Sequence, residues 1–324
     1  SNTAGTSNFR AGVNAGNSIT SGGNYNVTVG DEAGTALTTG DQNVAVGYQA
    51  LDALDTAIRN VAIGTTALTS DTKGDASVAV GHSALYAQNF TTTTSVYNVA
   101  VGYHAGVNVT TGLRNNFIGG LAGDATTDAD DNIALGYNAL GANTVGSRSV
   151  AVGTDALATQ NPATATDMYN TAVGYDAGQE ITTGIRNTLI GGLAGDAFTD
   201  ADLNVAIGYQ ALSSDTLGSR SVAIGNQALL TQNFTTATDG YNTAVGTDAG
   251  LLVTTGTSNV LLGALAGDAF TDADFNIAIG KNSLGADTLG SASVAIGHGA
   301  LLTQNFTTAT SVYNVAVGHN AGKL

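Results

Sequence analysis

A short aliphatic strand ending in glycine recurs along this chain at fixed steps, and that spacing limits the fold more than any other feature. One copy is Asn43-Val44-Ala45-Val46-Gly47. Its glycine returns at Gly30, Gly47, Gly64 and Gly81, then at Gly102, Gly119, Gly136 and Gly153, and onward to Gly318. Three short steps of 17 alternate with one long step of 21, four times over. A period of 72 therefore links the equivalent Gly30, Gly102, Gly174, Gly246 and Gly318 as the starts of four-coil blocks. A weaker copy, Asn8-Phe9-Arg10-Ala11-Gly12, comes before Gly30 by a step of 18. Self-similarity of this length means one small unit stacking on itself. The expected fold is all-β: a parallel β-solenoid of about 18 coils forming a single continuous domain over residues 1–324.

The motif positions carry physical meaning. Aliphatic residues stand three and one before the glycine, as Val44 and Val46 or Ile277 and Ile279 do, with alanine between them at Ala45, Ala134 and Ala278. This is the period-2 pattern of a strand with two unlike faces. The aliphatic face is expected to fill the coil. Alanine is a poor strand former, so its recurrence calls for close packing against another wall or another chain. If the partner is another chain, Ala206→Leu or Ala278→Leu is expected to disrupt assembly. Four before the glycine stands Asn (Asn43, Asn60, Asn98), or Ser in every fourth coil (Ser77, Ser149, Ser221, Ser293), expected as a polar ladder along the stack. With 44 glycines, no Trp and no Cys, close backbone approach replaces bulky packing. The remaining Thr, Asp, Gly and Asn predict turns and a short second strand.

The net charge is −16, from 25 acidic against 9 basic residues. Such a surface repels phosphate backbones, which speaks against nucleic acid and anionic membranes as partners. No stretch is apolar enough to insert in a bilayer as a helix. The chain starts Ser1-Asn2-Thr3 without an initiator Met and stops just after a motif at Gly318, so it is expected to be a piece of something longer, or processed.

Ser293-Val294-Ala295-Ile296-Gly297-His298-Gly299-Ala300 resembles the head repeat of YadA-type trimeric autotransporter adhesins. Asn170-Thr171-Ala172-Val173-Gly174-Tyr175 is similar also to segments of bacteriophage tail fibres. The resemblance runs from Asn8 to Gly322 and implies a left-handed β-roll, surface attachment outside the cell or on a virion and, together with the small Ala/Gly face, a homotrimer of three chains around one axis. These coils are longer than the adhesin repeat, and no coiled-coil stalk or membrane barrel accompanies them.

Two groups of residues are candidate sites. The acidic turns Asp124, Asp128, Asp130; Asp196, Asp200, Asp202; and Asp268, Asp272, Asp274 are either solvated turns or hard-oxygen ligands for Ca²⁺, without EF-hand spacing. The extra residues of each long coil fall near Phe90 and Tyr97, Phe234 and Tyr241, and Phe306 and Tyr313. Insertions in solenoids often form binding loops, so these aromatics either contact a ligand or pack locally. One copy carries Pro162 instead of Phe, and the loops are expected on the outer surface. The histidines His82, His104, His298 and His319 form no i, i+4 pair. No cofactor is expected.

The favoured function is a non-enzymatic shaft or head of an attachment fibre that meets a cell-surface glycan or protein receptor. An ice-binding solenoid needs a threonine array on every coil, whereas Thr110-Thr111, Thr182-Thr183 and Thr254-Thr255 recur only every fourth coil. A polysaccharide-cleaving tail protein needs a carboxylate pair in a groove, which here could arise only between chains.

Overall fold

The computed structural model describes residues 5–323. It is all-β without helix among the described residues, a parallel β-solenoid of about 18 turns. The chain divides into two compact units, Ser1–Asp167 and Met168–Leu324. In the first, three-residue strands run from Phe9–Ala11 and Val27–Val29 to Val150–Val152. Each pairs in parallel with the next, glycine motif on glycine motif, as Val44↔Val61, Ala45↔Ala62 and Val46↔Ile63 illustrate. The second unit repeats the scheme with strands from Thr171–Val173 to Val315–Val317. Among the described residues, a second, two-residue strand forms only where a long coil stacks on its predecessor, as Gly218–Ser219 with Thr238–Asp239 and Gly290–Ser291 with Thr310–Ser311.

The motif glycine has to be glycine. Gly47 adopts φ 133°, and a Cβ there would lie 2.5 Å from the carbonyl oxygen of Gly64 in the next coil. Both the conformation and the approach exclude a side chain.

The strand faces lie opposite to the expectation. The alanines Ala45, Ala62, Ala79, Ala206 and Ala278 are at most 1% exposed and point into their own coil. The flanking Val and Ile point out, with Ile63 40%, Ile118 41% and Leu135 44% exposed. The coil is so narrow that the strand contributes only a methyl group, and volume comes from the opposite wall. That wall holds Leu51, Leu68 and Leu85 four positions after the glycine, and Leu37, Leu54 or Ile181 seven after it. Where the inward residue is large, the opposite one shrinks. Phe117 replaces alanine and faces Gly123, whose Cβ would come within 2.6 Å of the ring; Leu189 is matched in the same way by Gly195. Ala206→Leu therefore overpacks a coil rather than an interface.

Asparagines form the expected ladder inside the stack. The Asn43 amide N–H donates to Oδ1 of Asn26 at 2.9 Å, and its Nδ2 donates to the Ala57 carbonyl at 2.9 Å. Buried amides are tolerated only when satisfied in this way. Serine appears in every fourth coil because the long coil supplies a glutamine in place of the missing amide. Gln232 Nε2 donates to Ser221 Oγ at 3.3 Å and to Asp215 Oδ2 at 2.6 Å, while Gln232 Oε1 accepts from Asn242 Nδ2 at 2.9 Å. Gln88 does the same between Asp71, Ser77 and Asn98.

Candidate binding surface

Each unit presents an outward apolar face. Just before the glycine it is aliphatic from Val29 to Val152 in the first unit and from Val173 to Val317 in the second. Three before the glycine it is mostly Val or Ile, with Asn116, Thr171, Thr188 and Thr243 as the polar exceptions. From Val27 onward no charged residue occupies either position, although the chain carries −16 overall.

Two columns of exposed side chains border this face. Just after the glycine stand Tyr48, Tyr103, Tyr137, Tyr175 and Tyr209, each about half exposed. Three of the four histidines belong here: His82 stacks on Tyr103 at 5.5 Å and His298 on His319 at 5.1 Å between ring centroids. The spacing from His82 to Tyr103, and from His298 to His319, equals the long step between glycines, and that was the legible sign of the stacking. On the other border, five before the glycine, the residue turns the corner with positive φ in every coil from Tyr25 onward. Five of the six arginines occupy this column, Arg59, Arg114, Arg148, Arg186 and Arg220, together with Tyr97, Tyr169, Tyr241 and Phe275. Arg114 bonds Asp131 at 2.6 Å, holding that carboxyl below the usual carboxylate range. Arg148 pairs with Asp167, and Arg220 with Asp239 at 2.9 Å.

The long-coil aromatics divide. Tyr97, Tyr241 and Tyr313 are exposed, 53% or more. Of the two readings of the rings, ligand contact or local packing, Phe90 and Phe234 take the second: they are 8% and 5% exposed, folded back under the loop, and Phe306 is half-buried at the last long coil. Pro162 is buried at the equivalent place. Backbone bonds hold the ring there: Phe234 N–H donates to Asp215 Oδ1 at 3.2 Å. Burial pushes the Asp71 and Asp215 carboxyls up against the hydrogen bonds that favour ionisation.

The three aspartates of each acidic turn separate. Asp130, Asp202 and Asp274 accept a backbone N–H from the preceding coil, from Leu113, Ile185 and Thr257, at 2.7, 2.7 and 2.6 Å. Asp128, Asp200 and Asp272 lie at the surface, the last two accepting from Thr183 and Thr255 hydroxyls. Asp124, Asp196 and Asp268 are half-buried, and desolvation pushes each carboxyl up. Among the described residues, no three His, Cys, Asp or Glu side chains converge on a point that could hold a metal ion.

A threonine column lies eight positions after the glycine, in three successive coils of a block rather than one: Thr110, Thr127 and Thr144, then Thr182, Thr199 and Thr216. The hydroxyls are used internally, Thr110 donating to the Thr127 carbonyl at 3.2 Å and Thr127 to the Thr144 carbonyl at 3.1 Å. No protein-family model matches the chain, and no curated protein is significantly similar to it.

Proposed function

We propose that the chain is the shaft or head of a trimeric attachment fibre, a left-handed β-roll of the adhesin-head and tail-fibre kind, working outside the cell or on a virion and without catalysis. The observation that carries this reading is the outward Val/Ile face. Parallel sheets are almost always covered on both faces, and long apolar stripes on a soluble chain mark interaction sites. A second copy fits because the stripe repeats with the coil, so equal copies side by side meet apolar on apolar at every level. Its freedom from charge removes the repulsion that two highly acidic chains meet elsewhere. The bordering Tyr and Arg columns then face outward for a glycan or protein receptor.

The test is the mass in solution. Light scattering should give three times 32.1 kDa, and Ile207→Asp with Ile224→Asp should release monomers that keep a β-rich circular dichroism spectrum. A wild-type chain that is a monodisperse monomer removes the trimer. A trimer that binds no bacterial or host-cell surface in a labelled-protein assay removes the attachment role.

A further inference from the structure

The corner beside each long coil occurs in four versions that differ in a coordinated way. The residue at the corner of the last short coil and the residue two before the exposed tyrosine change together: Ala76 with Ser95, Arg148 with Asp167, Arg220 with Asp239, Ala292 with Ser311. At these corners arginine appears only where aspartate can receive it. In the two middle copies the guanidinium fills the corner, Arg220 also lying over the Tyr241 ring at 6.0 Å. In the last copy Ala292 and Ser311 remove both partners, and an open groove of about 270 Å³ stands there.

The lining of that groove differs from the other copies as well. Phe275, at φ 59° and 65% exposed, forms one wall where the earlier copies have Arg59, Asp131 and Leu203. Asp272 and Asp274 line it beside the ring, and Ser291, Ala309, Thr310 and Ser311 complete it. Asp274 uses Oδ1 to accept the N–H and hydroxyl of Thr257, and Asp272 uses Oδ1 to accept the Thr255 hydroxyl. Each keeps its other oxygen to accept. Ser291 Oγ accepts the Asp274 N–H at 3.0 Å, which leaves its hydroxyl hydrogen to donate. The first copy, also Ala and Ser at the corner, has Thr56 and Ile58 in place of the two aspartates.

We infer that this groove is a binding site for one neutral pyranose ring of a surface glycan. A flat aromatic wall suits the C–H face of a sugar. Two carboxylates take strong charge-assisted bonds from its hydroxyls, and serine and threonine hydroxyls return donors. The volume lies just below the roughly 300–1,000 Å³ typical of drug-sized ligands, which suits a single ring. The same carboxylates repel uronates and sialic acids. The inference rests on the attachment reading and deepens it by naming a ligand class.

The test is saturation-transfer NMR on the full chain with the methyl pyranosides of glucose, galactose and mannose, and with methyl glucuronide. At least one neutral pyranoside should bind, with a dissociation constant of roughly millimolar order as expected for so small a contact, and the glucuronide should not. Phe275→Ala should weaken binding at least tenfold. Ala292→Arg with Ser311→Asp, which rebuilds the ion pair of the neighbouring copies, should weaken it equally with the melting temperature retained. The site is overturned if no neutral pyranoside binds, if binding survives both variants, or if only Ca²⁺ binds and does so through Asp272. Cell attachment by a chain that binds no pyranoside would sink the groove alone, whereas pyranoside binding by a chain that attaches to no cell would sink only the attachment reading.

Discussion

Two versions of the long-coil corner, one around Asp215 and one around Asn143, solve the same problem with different atoms. Around Asp215, Oδ1 accepts the N–H groups of Gly218 at 3.0 Å and Phe234 at 3.2 Å, while Oδ2 accepts from Gln232. Around Asn143 the Phe is Pro162, which has no N–H to give. The acceptor changes with it: Asn143 Oδ1 accepts Gly146 N–H at 3.0 Å, and Nδ2 turns back to donate to the Gly146 carbonyl at 2.7 Å. Three copies pair Asp with Phe (Asp71, Asp215, Asp287) and one pairs Asn with Pro. The difference teaches that these corners are set by donor count. A buried oxygen is kept only while something donates to it.

That account breaks most visibly at Phe234. Phe234→Pro should cost about 3–4 kcal/mol, from the lost ring and the deserted carboxylate oxygen, read as a lower denaturation midpoint and lost hydrogen-exchange protection around Gly218. Adding Asp215→Asn should recover roughly 1 kcal/mol, since contacting residues couple. Strictly additive losses would show that the two positions are independent and the pairing incidental.

A second prediction separates the versions by pH. Asp71 and Asp215 have folded pKa values raised above the ordinary 3.8, so the folded state holds their protons more tightly than the unfolded one. Their contribution to stability therefore rises as pH falls from above the raised values toward the ordinary one. Asp71→Asn with Asp215→Asn should remove this gain, so wild type minus variant stability should grow as the solution is acidified from neutrality toward the ordinary carboxyl range. A constant difference across that range would mean the two carboxyls titrate as they do when unfolded.

The smallest effect belongs to the exposed ion pairs. Arg220→Ala with Asp239→Ser, copying Ala292 and Ser311, should change stability by at most about 1 kcal/mol and reduce its dependence on salt. A loss above that, unaffected by salt, would mean Arg220 acts through packing.

Much of this fold was legible from the glycine step, because one required conformation per coil sets the register of everything else. The Asn ladder was legible for the same reason. Which strand face points inward was not. Alternation separates Ala45 from Val44 and Val46 but does not say how wide the coil is, and the width decides. The volume signal lay elsewhere, in the exchange of Ala45 and Leu51 for Phe117 and Gly123, visible only when both columns are compared coil by coil. The threonine column escaped because adjacent pairs such as Thr110-Thr111 draw attention from the single Thr127 and Thr144 at the same offset. The Arg148–Asp167 and Asp215–Phe234 couplings each span more than a full short coil, beyond any local motif. They emerge only when the four blocks are laid over one another. The groove at Phe275 depends on an absence, the small Ala292, which has no signature of its own.

The buried Asp, Ser, Gln and Asn of one long-coil network come from three successive coils: Asp215 from one, Ser221 and Gln232 from the next transition, Asn242 from the one after. Removing or adding a single short coil inside that span would leave one member facing an apolar residue such as Phe198 or Val253. Genetic change in length therefore proceeds most readily in whole four-coil blocks, about 19 Å at strand spacing. The array is a ruler with coarse graduations, and homologous recombination between blocks can lengthen or shorten it without disturbing a hydrogen bond.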